Sequence, residues 1–369
     1  MKKKNKKVVV AMSGGIDSSV AAALLKKAGF DVIGVFMLFW SEDTKNAKWN
    51  RCCSPGAQAR AREVAKILDI PFYVLDFRKE FKKQIVDYFL KEIKKGRTSN
   101  PCVECNRFIK FEVLFKKTKE LGGDFLATGH YVRKRECKIQ NAKCKIYKLL
   151  KAKDKEKDQS YFLWRLTQNQ LKHLIFPLGN LTKNEVKNLA KKFKLPVLGI
   201  PESQEICFVG TSLEEFLKKY LKPKSGKIVD TKGNVLGEHK GLIFYTIGQR
   251  KGIGLSGGPY YVLKKDTKNN LLIVTKNERD LYQKELIAKE VNWISGIPPK
   301  LPIRVKAKIR YLHTPAPATL HMTSNVTRTV LVIFDKPQRA ITPGQSVVFY
   351  KRNEVLGGGI IETTINDKL

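Results

Sequence analysis

The stretch that most limits what this chain can fold into is "KVVVAMSGGIDSSVAAALLKKAGF", residues 7–30. An apolar run ends in Ser13-Gly14-Gly15, and Ile16-Asp17-Ser18-Ser19 opens an alanine-rich segment that Gly29 stops. This pattern predicts a buried strand, a tight turn and a helix over Asp17–Ala28. Glycines at such a turn let backbone amides close on an anion, and the helix N-terminus adds partial positive charge. Ser18 or Ser19 can add a hydroxyl donor. The stretch lacks the lysine of G-x-x-x-x-G-K-[ST], which argues against a Walker-type loop. A second glycine pattern, "GIGLSG" at 252–257, fits G-x-G-x-x-G only in letters. It lies between β-like runs and opens no helix, so no dinucleotide site is expected there.

The residues that follow keep alternating strand and helix signals. "DVIGVFMLFW" reads as a strand, Ala61, Val64, Ala65 and Leu68 mark one helix face, and "PFYVLDF" is the next strand. A long helix buries Phe81, Ile85, Tyr88, Phe89 and Ile93. The loop "GRTSNPCVECNR", the helix "FIKFEVLFKKTKEL" and the strand "DFLATGHY" come next. Such repetition predicts an α/β fold with a parallel sheet covered on both faces, and ligands off the carboxyl ends of its strands. Residues 133–157 are basic and weakly patterned, as a hairpin or exposed excursion would be. Helical spacing returns up to Pro196. Short β-rich runs fill 226–280, and strand signals broken by Pro and Gly over 287–364 fit a small barrel. The expected units are an N-terminal parallel-sheet domain over 1–210, a small central β-rich domain over 211–284 and a C-terminal β-barrel over 285–369.

Charge narrows the partner. Lysine and arginine number 71 against 34 acids, a net charge of +37. A lysine-biased genome accounts for part of this, but a field of that strength favours a polyanion, most simply nucleic acid. In "IRVKAKIRY", Arg304, Lys306, Lys308 and Arg310 alternate with apolar residues, which on a strand spaces the cations by about 6.8 Å along one face. They form either a phosphate-tracking stripe or a solvated edge that deters aggregation. No run approaches eighteen apolar residues, and the basic-then-apolar start leads straight into the glycine turn, so a cytoplasmic protein is expected.

Seven cysteines, an odd number, argue against a disulfide framework. Cys102-x-x-Cys105 sits in a polar loop before a helix, with Arg107 and Lys110 nearby. A thiol in that setting ionises more readily, and the thiolate is the nucleophile. The same pair is also half of a metal or iron–sulfur site that Cys53 or Cys207 could complete. Cys207 alone reads as a core cysteine. The histidines, His239 and His313 included, are not spaced as metal ligands.

Taken in order, "MSGGIDSSVAA", "VIGVFM", the "NP..CNR.IKF" frame, "ATGHY", "KDQSYFL", "FPLG.LTK.EV", "ICFVG", "HKGL..YTIGQRKG", "RY" and "PGQ" resemble the tRNA-specific 2-thiouridylase family of PP-loop ATP pyrophosphatases along the whole chain. The resemblance implies ATP-dependent 2-thiolation of the wobble uridine of tRNAs for Lys, Glu and Gln. O2 is adenylated, sulfur arrives from a cysteine persulfide loaded by a sulfur-relay or cysteine desulfurase protein, and AMP leaves. It implies that Ala11, Met12, Ser13, Gly14, Gly15, Ile16, Asp17, Ser18, Met37 and Gly129 hold ATP, with Mg2+ as its companion. His130 would lie beside them near the tRNA. Asn100, Pro101 and Cys102 would form the target-base loop, Cys105 would be the nucleophile, and Cys207 the persulfide carrier and eventual disulfide partner. Lys157, Asp158, Gln159, Arg310, Tyr311 and Gln345 would contact tRNA. Many relatives have Asp where Cys102 stands, a candidate acid–base group. With Cys53, Cys102, Cys105 and Cys207 in one chain, a [4Fe-4S] cluster is the alternative sulfur carrier.

Overall fold

The computed structural model describes residues 5–41, 54–138, 145–200, 206–210, 212–323 and 328–363. Its first sheet has five parallel strands in the spatial order Phe72–Asp76, Asp31–Leu38, Lys7–Ala11, Phe125–Ala127 and Leu174–Ile175. Strand alternation divides two cores. Val8, Val10 and Met12 face one with Val20 and Ala61, while Val9 and Ala11 face the other with Phe81, Phe89 and Ile109. That is why these strands read as continuous apolar runs. The fifth strand has only two residues, too few to show any period in the sequence. The order reverses between Lys7–Ala11 and Phe125–Ala127, a switch point of the kind off whose carboxyl ends parallel sheets bind ligands.

The helix Ile16–Lys27 leaves the first strand through the glycine turn, and Pro55–Ile67 is capped by Ser54, whose Oγ accepts from the Ala57 amide at 3.1 Å. The long helix carrying Phe81 and Ile85 contains a π-turn over Lys82–Val86. A second π-turn, Cys105–Val113, widens the helix that begins at Pro101.

The small central unit is a four-stranded sheet ordered Tyr261–Asp266, Leu271–Thr275, Gly226–Val229 and Val235–His239. Residues 252–257 make turns, with positive φ at Gly252, Gly254 and Gly257, and open no helix. The third unit has six antiparallel strands, Tyr282–Trp293, Val330–Arg339, Ala316–Met322, Ile303–Lys308, Ser346–Lys351 and Glu354–Thr363. Pairing of the first with the last closes the barrel.

The basic excursion is a hairpin, Val132–Lys138 with Lys145–Lys151. Leu149 and Leu150 pair with Val355 and Glu354, so the hairpin extends the barrel's sheet from within the first block. Val348, Tyr350 and Val355 of the barrel bury into the same core as Phe81 and Leu126.

The cationic row is shorter than its alternation suggested. Val305 and Ala307 face inward, and Arg304 and Lys306 face out. The Arg304 guanidinium, however, is bidentate on Asp335 at 2.6 Å each. Lys308 lies over the Tyr311 ring, 5.3 Å from its centroid. Arg310 falls beyond the strand and donates to the carbonyls of Arg339 and Ala340 at 3.3 and 3.5 Å.

Candidate active site

The glycine turn follows the carboxyl end of Lys7–Ala11, at the switch point. Gly14 has φ +72°, and a Cβ there would come within 2.1 Å of the Ala57 carbonyl oxygen. Arg60 Nε donates to the Gly14 carbonyl at 3.2 Å. Ser18 Oγ accepts from the Ser13 amide at 3.1 Å and donates to the Gly15 carbonyl at 3.1 Å, and Ser19 Oγ donates to the same carbonyl at 2.9 Å. Gly15 caps the helix without a side chain, so the first amides of Ile16–Lys27 point at whatever occupies the turn. Ala11, Met12 and Met37 are buried beside it at the ends of the two neighbouring strands.

The strand Phe125–Ala127 delivers the other wall. A Cβ on Gly129 would lie 2.8 Å from the Ser18 amide nitrogen, so the two loops touch backbone to backbone. His130 is buried, its Nδ1 2.7 Å from Thr128 Oγ1. Burial holds its imidazole well below its ordinary value, and Lys110 pushes the same way. Tyr131 donates its hydroxyl to Asp17 Oδ1 at 2.7 Å. Lys183 Nζ meets both Asp17 oxygens, at 2.7 and 2.8 Å. Neither Tyr131 nor Lys183 was singled out from the sequence. Both lie inside quoted motifs, "ATGHY" and "LTK", but nothing local ties them to Asp17.

The cysteine loop is held from two sides. Asn100 caps the helix at Pro101, its Oδ1 accepting from the Cys102 amide at 3.1 Å. Cys102 is exposed and Cys105 buried. Before the loop, Gln345 of the barrel donates to the Thr98 carbonyl at 2.7 Å, and the Thr98 amide donates to the Pro343 carbonyl at 2.9 Å. After it, Glu104 is buried against Arg165, with Nε 3.2 Å from its carboxylate, and Arg165 reaches Glu290 of the barrel at 3.0 Å. Burial raises the Glu104 pKa, while Arg165 and Arg107 oppose the rise. Cys207 is half-buried against the cluster that contains Cys105. It is placed there by its neighbour Phe208, which packs edge-on to Phe81 and Phe89.

Other expected contact residues are tied inward. Asp158 accepts from the Ala152 amide and the Ser160 hydroxyl at 3.0 and 2.8 Å, and Gln159 Oε1 accepts from the Tyr131 amide at 2.9 Å. The Lys157 amide is held by Asp154 at 3.1 Å. Tyr311 packs on Phe162, ring centroids 4.5 Å apart. Cys53 lies outside the described residues. Among the described residues, no group of three or more His, Cys, Asp or Glu comes together as a metal-holding set. Also among them, no helix is long and apolar enough to cross a membrane.

A glycine cradle at the switch point of a parallel sheet, with a cysteine-bearing loop beside it, defines a HUP-domain protein of the PP-loop class. Three family profiles match in succession: "tRNA methyl transferase HUP domain" over residues 6–211, "tRNA methyl transferase PRC-barrel domain" over 214–276 and "Aminomethyltransferase beta-barrel domain" over 283–361. The tRNA-specific 2-thiouridylase MnmA of Clostridioides difficile (strain 630) is 47% identical over 98% of this chain and 99% of its own length. Its namesake MnmA 1 of Caldanaerobacter subterraneus subsp. tengcongensis is 51% identical over the same shares. The chain belongs to the tRNA-specific 2-thiouridylase family. Among solved structures, a 4-thiouridine synthetase in complex with RNA and bound ATP matches at TM-score 0.37 and 19% identity, over 58% of this chain and 50% of that one, too distantly to bear on function.

Proposed function

We propose that this chain is an ATP-dependent tRNA-uridine 2-sulfurtransferase acting on the wobble base, with units near 1–210, 211–284 and 285–369. Its strongest support is the glycine turn at the switch point, in a chain whose near-full-length relatives carry the 2-thiouridylase name. In this reading the turn from Ala11 to Ser18, with Met37 and Gly129, binds ATP and its Mg2+. O2 of the uridine attacks the α-phosphorus and pyrophosphate leaves. Asn100, Pro101 and Cys102 hold the base, while His130, Lys157, Asp158, Gln159, Arg310, Tyr311 and Gln345 belong to the tRNA side. Given their inward bonds, Asp158, Gln159 and Gln345 act by shaping that surface.

A poor leaving group is thereby made a good one. The terminal sulfur of a Cys207 persulfide attacks C2, AMP departs with O2, and sulfur bridges Cys207 to the base. The Cys105 thiolate then attacks the Cys207 sulfur and breaks the S–S bond. Sulfur stays on C2, and a Cys105–Cys207 disulfide is left for a cellular dithiol to reduce. A sulfur-relay or desulfurase protein loads Cys207, and the setting is the cytoplasm. The cysteine relay is preferred to a cluster because Cys207 packs on the core that contains Cys105, so the two sulfurs the relay needs share one side of the sheet. Purified protein, tRNA, ATP and a persulfide donor should yield 2-thiouridine by nucleoside mass spectrometry, and Cys105→Ser or Cys207→Ser should each abolish it. Full thiolation by either variant would refute the two-cysteine mechanism.

A further inference from the structure

The glycine turn lacks its own lysine, and the fold brings one to it from far along the chain. We propose that Lys183 is a ligand of the pyrophosphate group, doing from a separate helix what the loop lysine does in Walker-type sites. This rests on the nucleotide reading above and extends it to a residue outside the turn. Lys183 is the first residue of the helix Lys183–Lys192, which Thr182 and Glu185 fix by a reciprocal capping box. Its amide is held by Asp154 at 2.9 Å. The backbone at this residue is therefore anchored on two sides, while four methylenes carry the ammonium inward.

The side chain is only 9% exposed and its charge rests on Asp17, the second residue of the helix that opens at the turn. Its ammonium also lies over the Tyr131 ring, 5.7 Å from the centroid. Burying an ion pair for stability alone is poor use of a site, since apolar packing does as well or better. A cation kept dry at a helix N-terminus is well suited to an arriving polyanion. When pyrophosphate occupies the turn, the ammonium swings from the Asp17 carboxylate to the phosphate oxygens. Tyr131 continues to hold Asp17.

A structural brace of Asp17 would be a different role, and calorimetry separates the two. Wild type, Lys183→Gln, Asp17→Asn and the double variant are titrated with inorganic pyrophosphate without magnesium, and with AMP. Lys183→Gln should weaken pyrophosphate by at least about tenfold while AMP stays within about twofold. Asp17→Asn/Lys183→Gln, which leaves no unpaired charge at the pair, should bind pyrophosphate at least about tenfold more weakly than Asp17→Asn does. The proposal falls if Lys183→Gln binds pyrophosphate as wild type does, or loses AMP equally. It also falls if Asp17→Asn/Lys183→Gln binds pyrophosphate as tightly as Asp17→Asn does, and this pair decides should Lys183→Gln alone not fold. A wild type that binds neither ATP nor pyrophosphate would instead overturn the nucleotide reading itself.

Discussion

At the scale of single residues, two glycines do different work. Gly14 needs both its positive φ and the absence of a Cβ, and a strand–turn–helix pattern already points to it. Gly14→Ala should cost about 1–3 kcal/mol from the backbone alone, with ATP affinity lost as the loop shifts off Ala57; thermal melts and nucleotide titration check both. Gly129 has no unusual φ. Its requirement comes from touching Asp17 and Ser18, which no local pattern reveals. His130 adds a pH dependence. The unfolded imidazole takes up a proton below its ordinary 6.5, whereas the folded one resists it. Its contribution to stability is thus complete above that pH and fades as pH falls, by at most about 1.4 kcal/mol per unit. Urea melts from about pH 7 to 5 should show a shallower loss for His130→Asn than for wild type.

Among elements, the helix opening at Pro101 depends on ties at both ends. Arg165→Met leaves the buried Glu104 carboxylate with only Arg107, 3.7 Å away, and should destabilise by up to about 3–5 kcal/mol. Adding Glu104→Gln should recover part of it, as read by denaturant unfolding. The helices around the first sheet were legible because their apolar faces repeat, as at Ala61, Val64 and Ala65. The π-turns were not, since one inserted residue leaves such a repeat nearly unchanged. The Asp17–Lys183 pair was illegible for another reason: two charged residues 166 positions apart carry no shared period.

For the whole molecule, three units and their order follow from texture, but their joints do not. The hairpin's bond to Glu354 and Val355, and the Gln345 tie to Thr98, link parts that only the fold brings together. The cationic row shows the same limit. Alternation gave its direction correctly, while Asp335, which neutralises Arg304, is contributed by another strand. tRNA binding should therefore respond unequally. Lys306→Gln should reduce the slope of log affinity against log salt by about 0.9 at most. Arg304→Gln should change it less, in filter binding across a sodium chloride series.

The hairpin's partner strand also sets a clock for synthesis. Lys145–Lys151 leaves the ribosome about two hundred residues before Glu354 and Val355, which cover its edge. At roughly 5–20 residues per second, that edge waits on the order of 10–40 s. The nascent first block must keep an open strand from recruiting a neighbouring polysome's chain during that interval. Seven of the fourteen residues of Val132–Lys138 and Lys145–Lys151 are basic, and Lys145, Lys148 and Lys151 on the later strand give that edge like-charge repulsion while it waits.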